Sequence, residues 1–148
     1  RETVPSDIKL AAEVDIDHSY SQGMSSVSQA TLALLLALDL VHAKEITIVG
    51  RGHAVQDLAQ HLIDNDATVT VAHSKTPILY GATTGKDVVI YATPTITGAV
   101  PYNTHDLVID LGNSVPHPDR FNCTYVNRIG QLTVSVLLNR FARKEHKA

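Results

Sequence analysis

Glycines and a cation follow the first β-branched segment of the chain. Gly50, Arg51 and Gly52 come directly after Ile-Thr-Ile-Val, and glycines at such a turn let a phosphate approach the backbone N–H groups of a following helix. The third glycine of the G-x-G-x-x-G pattern is missing, because position 55 is Val. The turn therefore predicts either a nucleotide-phosphate site, which would include His53, or an ordinary glycine turn.

The second β-branched segment ends in His73, Ser74, Lys75 and Thr76. Dehydrogenases that prefer NAD place an acidic residue near this point for the ribose 2′-hydroxyl, and none is present. A hydroxyl and a cation here, with Arg51 across the first turn, suit a 2′-phosphate because both cations form charge-assisted bonds to phosphate oxygens. The pattern predicts NADP in preference to NAD. The alternative is that Ser74 and Thr76 cap a short helix and Lys75 is solvated.

Two later β-branched segments also end in small or polar residues. These are Ala92, Thr93 and Pro94 after the third segment, and Gly112 and Asn113 after the fourth. They would suit a groove for the nicotinamide half of a dinucleotide, although turn chemistry explains them nearly as well. The evidence for a shared site is that such motifs recur at the same end of successive segments.

Other chemistries lack the required spacing. The eight histidines form no His-x-x-x-His or His-Glu-x-x-His pattern, so no metal site is predicted. No Gly-x-Ser-x-Gly motif is present to supply an activated serine. Cys123 falls in a predicted strand, where a small buried thiol is expected rather than a reactive one.

The elements that would position these motifs follow from hydrophobic periodicity. Continuous β-branched runs favour a parallel sheet covered on both faces. The alternation of strands and helical segments predicts an α/β fold: a Rossmann-like, doubly wound, mostly parallel sheet with helices on both faces and its ligand beyond the carboxyl ends of the strands. The predicted strands are 46–49, 67–71, 87–92, 107–112 and 123–126, and the predicted helices are 25–42, 54–63 and 131–143.

Composition narrows the class of protein. The chain has 148 residues, 44% hydrophobic and 18% charged, with a net charge of −3, so it lacks the basic field that nucleic-acid binding needs. One cysteine forms no internal disulfide, which favours the cytoplasm. The longest apolar run, 30–41, is too short to span a membrane. Because the first residue is Arg1, we expect a piece of a longer product.

The motifs also occur in the order of a known family. Ala-Thr-Val-Thr at 67–70, followed closely by His-Ser-Lys-Thr at 73–76, is the most specific part. Ile-Gly-Gln-Leu-Thr at 129–133 is similar to the family's Val-Gly-Pro-Met-Thr. The chain resembles the C-terminal NAD(P)-binding domain of the bifunctional methylenetetrahydrofolate dehydrogenase/methenyltetrahydrofolate cyclohydrolases. The resemblance implies that residues 27–148 form this domain, and that 1–26 are a linker or the edge of a missing N-terminal catalytic domain.

The resemblance implies NADP-dependent oxidation of 5,10-methylenetetrahydrofolate to 5,10-methenyltetrahydrofolate, with a possible cyclohydrolase step. This chain would supply the cofactor-binding half, with Thr133 as a further cofactor contact and Asp17 against the folate pterin. A homodimer is also implied. The family's tyrosine and catalytic lysine lie in the N-terminal domain, so the chain alone is expected to be inactive.

Departures from the family keep two alternatives open. Gly52 stands where the family has Ser, Gln56 where it has Gly, and 126–128 where it has Pro-Gly-Gly. These changes predict weaker phosphate and folate contacts. One alternative is a degenerate, non-catalytic nucleotide-binding or structural module of the same fold. The other is an NADP-dependent dehydrogenase that acts on a substrate other than folate.

Overall fold

The computed structural model describes residues 26–73, 75–76 and 79–127. These residues fall into two compact units, one with residues 26–39 and the other from Leu40 onward. Several predictions concern residues outside the described ranges: the linker at 1–26 except for its last residue, the helix at 131–143, and the site residues Asp17, Ser74 and Thr133.

The first unit contains helix α1, Ser26–Ala37. Residues 30–35 are all buried, as their predominantly apolar character favours. The predicted end near His42 is wrong. The backbone of Asp39 turns into the left-handed region at φ 57°, a conformation that cannot continue a right-handed helix.

The second unit is built on five parallel strands in the order β2-β1-β3-β4-β5. The predicted α/β class and doubly wound topology are confirmed, and the sheet is parallel throughout. The strands are β1 Glu45–Val49, β2 Thr68–Ala72, β3 Val88–Tyr91, β4 Leu107–Asp110 and β5 Thr124–Asn127.

The central strands are apolar on both faces. Ile48 pairs in register with Ile90, which pairs with Ile109, and all three are fully buried. Every residue of β3 and β4 is buried. A strand covered on both sides has no solvent face, which explains why these segments are continuously apolar instead of alternating.

Two helices connect the first three strands: α2, His53–Asp64, and α3, Leu79–Thr83. The buried Thr47 hydroxyl donates a hydrogen bond to the Ala82 carbonyl at 2.6 Å, which places α3 on the Thr47 face of the sheet. The β1-to-β2 and β2-to-β3 connections run in opposite directions across the sheet. Because such crossovers are right-handed, α2 lies on the opposite face, and both faces carry a helix.

The crossovers after β3 and β4 depart from the predicted alternation of strands and helices. Residues 92–106 and 111–123 contain no α-helix, only a 3₁₀ turn at Pro118–Arg120. Prolines at 94, 101, 116 and 118 interrupt both segments. Both crossovers pack on the α3 side, where Phe121 lies 4.8 Å from Tyr102 and 6.0 Å from Tyr125 between ring centroids.

Within the described ranges, no helix is long and apolar enough to cross a membrane.

Candidate functional site

A cavity lies where the order of the strands reverses, between the carboxyl ends of β1 and β3. The sheet ladder continues past β1 on both sides, because Gly50 N donates to Ala72 O and Ala92 N donates to Val49 O, each at 2.7 Å. A cavity of about 240 Å³ opens above these bonds. Ligands of doubly wound folds bind at this point. Six of the described residues line it, all from the predicted set: Gly50, Arg51, His73, Ala92, Thr93 and Pro94.

Glycine occupies the two positions of the first turn, Gly50 and Gly52, for different structural reasons. A Cβ at Gly50 would lie 3.0 Å from Ala92 O and 3.1 Å from Ala92 Cβ, so glycine is needed for the close approach of the two strand ends. Gly52 has φ 105° and ψ 175°, a conformation that favours glycine, and it is the N-cap of α2.

The N-terminus of α2 has no side-chain cap from the part of the chain that the structure describes. Its first turn contains no acidic residue. The leading N–H groups of a helix carry partial positive charge and accept an anion when they are not capped. This end of α2 begins at His53, which is exposed, so the geometry suits a phosphate.

A hydrogen bond joins the turn after β1 to the turn after β2. Arg51 Nη2 lies 2.9 Å from His73 Nδ1, and the backbone N–H of Lys75 donates to the same ring nitrogen at 3.1 Å. Arg51 and Lys75 are exposed. The Arg51 side chain therefore lies at the cavity, with the backbone of Lys75 next to His73, at the strand end where an adenosine ribose lies in this class of fold.

The hydroxyl of Thr76 takes part in the turn after β2. It accepts a hydrogen bond from His73 N at 2.8 Å, while Thr76 N donates to His73 O at 2.8 Å. The described part of helix α3 is Leu79–Thr83. Whether Thr76 also caps a short helix stays a prediction.

The charged side chains described at and near the cavity are positive. None of the six lining residues is acidic. Among the described residues, neither Arg51 nor Lys75 forms an ion pair with a carboxylate. Because a guanidinium and an ammonium are available without competing carboxylates, the donor set fits a phosphate-bearing nucleotide.

Gly112 and Asn113 lie beside the cavity lining without being part of it. A Cβ at Gly112 would come within 1.9 Å of Thr93 O, so glycine allows the backbones after β3 and β4 to touch. Asn113 adopts φ 51° and its Oδ1 accepts from Asn127 Nδ2 at 3.3 Å. A contact of either residue with a cofactor stays a prediction.

Asp110, at the end of β4, has a structural role that the sequence did not predict. It is completely buried and accepts hydrogen bonds from Ser114 N at 3.0 Å, Val115 N at 2.9 Å and Tyr125 Oη at 2.7 Å. Burial, followed by the hydrogen bond and negative charge of Asp110, raises the pKa of Tyr125. The Asp110 carboxylate thus orders the turn that carries Gly112. Its position before the turn Leu-Gly-Asn-Ser could have predicted the hydrogen bonds to the backbone of Ser114 and Val115. It could not have predicted the bond to Tyr125, which lies on another strand.

Other chemistries find little support in the described part of the chain. Those residues contain no group of three or more His, Cys, Asp or Glu side chains that could hold a metal ion. Cys123 is half-buried, and burial raises the pKa of its thiol, which keeps the sulfur protonated and poorly nucleophilic.

A parallel sheet of this order, with a glycine turn and a cationic cavity at its switch point, defines a doubly wound nucleotide-binding domain. Residues 25–124 match the family described as tetrahydrofolate dehydrogenase/cyclohydrolase, NAD(P)-binding domain. The chain therefore belongs to this family.

Relatives agree with the assignment. The bifunctional protein FolD of Lacticaseibacillus casei is 37% identical over 95 residues, covering 62% of this chain and 34% of that protein. The FolD methylenetetrahydrofolate dehydrogenase/cyclohydrolase of Campylobacter jejuni has a TM-score of 0.57 at 20% identity, covering 84% of this chain and 51% of the other. The Trypanosoma brucei enzyme, solved with NADP and an inhibitor, has a TM-score of 0.54 at 23% identity, covering 97% and 60%. The chain thus spans about a third of that curated relative.

Proposed function

We propose that this chain is the cofactor-binding half of a cytoplasmic, NADP-dependent methylenetetrahydrofolate dehydrogenase/cyclohydrolase of one-carbon metabolism. The observation that carries the proposal is the Arg51–His73 contact at the cavity, where the Lys75 backbone also bonds His73 and none of the described lining residues is acidic. A 2′-phosphate would meet a guanidinium at this strand end, whereas an NAD-selective site needs a carboxylate for the 2′-hydroxyl.

Different residues of the chain would bind different parts of the cofactor. The N-terminus of α2, with Gly50 and Gly52, receives the pyrophosphate, and Arg51, Ser74 and Lys75 receive the 2′-phosphate. The nicotinamide half lies along Ala92, Thr93, Pro94, Gly112, Asn113 and Thr133. NADP⁺ held by these residues would supply the hydride acceptor for the oxidation of 5,10-methylenetetrahydrofolate to the 5,10-methenyl form, and a possible cyclohydrolase step would then use water to open the methenyl bridge.

Folate chemistry needs more than these residues. Asp17 is the proposed contact to the pterin, and the proton-handling lysine of the family belongs to an N-terminal domain outside this sequence. The chain contributes positioning, which raises the rate only when the substrate and the acid–base groups are present. We therefore propose that the chain alone does not turn over 5,10-methylenetetrahydrofolate.

One observation favours the alternative of a degenerate, non-catalytic module. Position 55 is Val, where the G-x-G-x-x-G pattern has glycine, and its Cγ2 lies 3.3 Å from the position of a Cβ on Gly50. A side chain at this contact keeps the helix farther from the strand than glycine would. The result would be a weaker hold on the pyrophosphate.

The experiment is a calorimetric titration of the chain with NADP and, separately, with NAD. We expect tighter binding of NADP, by roughly tenfold, because a charge-assisted hydrogen bond contributes about 1.5–3 kcal/mol. Arg51→Ala should remove most of this difference. Arg120→Ala is the matched control, because Arg120 is an exposed arginine on the crossover after β4.

Two results decide between the alternatives. Equal affinity for NADP and NAD would refute the proposed specificity, and no binding of either would support the degenerate module. The same sample, given 5,10-methylenetetrahydrofolate and NADP, should form no 5,10-methenyltetrahydrofolate. Product formation would contradict the proposal that the chain alone is inactive.

We also propose a homodimer formed through the outer edge of β2. Among the described residues, no strand pairs with this edge. The strand reads Thr-Val-Thr-Val-Ala and carries no charge or proline, so it lacks the usual protection of an edge strand. Antiparallel pairing of two copies about Thr70 sets Val69 beside Val71, a self-complementary arrangement around a two-fold axis.

Exposed apolar side chains lie next to the same edge. Val71 and Ile63 are each 47% exposed. Val71 pairs in register with Ile48 and so shares the face of the sheet that carries α2, the helix of Ile63. A second copy of the chain on this edge would cover both side chains.

A further inference from the structure

His73 lines the cavity, yet its ring nitrogen is turned toward Arg51. A guanidinium only donates hydrogen bonds, so Nδ1 of His73 must be the acceptor of the 2.9 Å contact with Arg51 Nη2. The backbone N–H of Lys75 donates to the same nitrogen. Both contacts require a neutral ring whose proton is on Nε2.

The backbone of His73 is fixed from both sides. Its N–H donates to Thr76 Oγ1 and its carbonyl accepts from Thr76 N, each at 2.8 Å. The preceding residue, Ala72, is buried in β2 and pairs in register with Val49 of β1. The imidazole therefore projects from a rigid strand end.

Arg51, by contrast, follows β1 in an exposed turn between two glycines. A free arginine side chain samples many rotamers, and that freedom is lost when it binds an anion. The bond to His73 uses one hydrogen of Nη2 and leaves the other donors of the guanidinium available. The histidine thus restricts the arginine before any phosphate arrives.

We propose that His73 is a positioning residue that presents Arg51 to the 2′-phosphate of the cofactor and so sets the preference for NADP over NAD. This inference rests on the proposed function. The imidazole acts through Arg51, so its contribution disappears when Arg51 is absent.

The test is a double-mutant cycle on the full chain, read as the ratio of NADP to NAD affinity by calorimetry. His73→Ala should lower this ratio roughly three- to tenfold, because Arg51 must then be ordered on binding. In the Arg51→Ala background the same change should have no further effect on the ratio. His73→Asn, whose Oδ1 can accept near the position of Nδ1, should restore most of the preference. His117→Phe, an exposed histidine on the β4–β5 crossover, is the control.

The outcomes separate this inference from the proposed function. No preference for NADP in the unaltered chain would overturn both. A preference that survives His73→Ala, or an equal loss with and without Arg51, would overturn the role of His73 alone. If His73→Ala does not fold, nitrogen-15 NMR of the unaltered chain reads the ring tautomer directly. A proton on Nε2 is expected, and a proton on Nδ1 would overturn the inference.

Discussion

At the scale of single residues, the end of β3 buries a tyrosine hydroxyl. Tyr91 is 1% exposed, and its Oη has no hydrogen-bond partner among the described residues. Burial raises the pKa of Tyr91 to about 12. The unfolded chain ionises this tyrosine near its ordinary pKa of about 10, so the raised pKa stabilises the fold only while the tyrosine stays protonated.

The first prediction follows from this pKa. The free energy of unfolding should be independent of Tyr91 below about pH 9 and should fall by about 2–3 kcal/mol as the pH rises from about 10 to 12. Urea denaturation from pH 8 to 11 measures the onset of this fall. Tyr91→Phe should be nearly neutral at pH 7 and should flatten the alkaline slope, although Tyr125 contributes in the same direction. Tyr80→Phe, at an exposed position, is the control, and equal slopes in all three proteins would contradict the prediction.

At the scale of elements, the ends of β3 and β4 are held together by a glycine. The Gly112 backbone rests against the Thr93 carbonyl, and Gly112 N donates to Tyr91 O at 3.2 Å. Any side chain at this position must push the segment after β3 away from β4. Since that segment lines the cavity, the contact connects sheet packing to the site.

Gly112→Ala is therefore expected to lower the free energy of unfolding by about 3 kcal/mol, the upper end of overpacking costs. The displaced Thr93 and Pro94 should also weaken NADP binding. Gly85→Ala is the matched control, because Gly85 has φ 66° and nothing within 4 Å of an added Cβ, so only backbone strain of about 1–2 kcal/mol is expected. Urea denaturation compares the two, and equal costs would show that the Thr93 contact is unimportant.

At the scale of the whole molecule, assembly depends on whether the β2 edge stays free. We expect the chain to sediment as a dimer at micromolar concentration and Val71→Lys to sediment as a monomer, because a charge on an edge strand blocks pairing. Tyr80→Lys, at an equally exposed position on α3, should remain dimeric. A dimer that persists in Val71→Lys would place the interface elsewhere, and a monomeric unaltered chain would refute the dimer.

Local sequence patterns predicted the positions of the strands well. Every strand end in the structure lies within two residues of its prediction, because continuous β-branched runs leave few alternatives to a buried parallel strand. The glycine turn and the strand-end motifs were also found from sequence, since each feature depends on neighbouring residues. The irregular crossovers and the early end of α1 were missed, because helical composition does not reveal where Asp39 reverses the backbone or how prolines divert a crossover.

The sequence by itself determined the class of fold, the strand positions and the residue types at the cavity, all of which follow from short-range periodicity and turn chemistry. Only the tertiary structure decided which of these residues meet. Arg51 reaches His73 across 22 positions of sequence, and Asp110 reaches Tyr125 across 15. Such contacts depend on strand order and register, which bring distant residues within 3 Å and which no local pattern encodes.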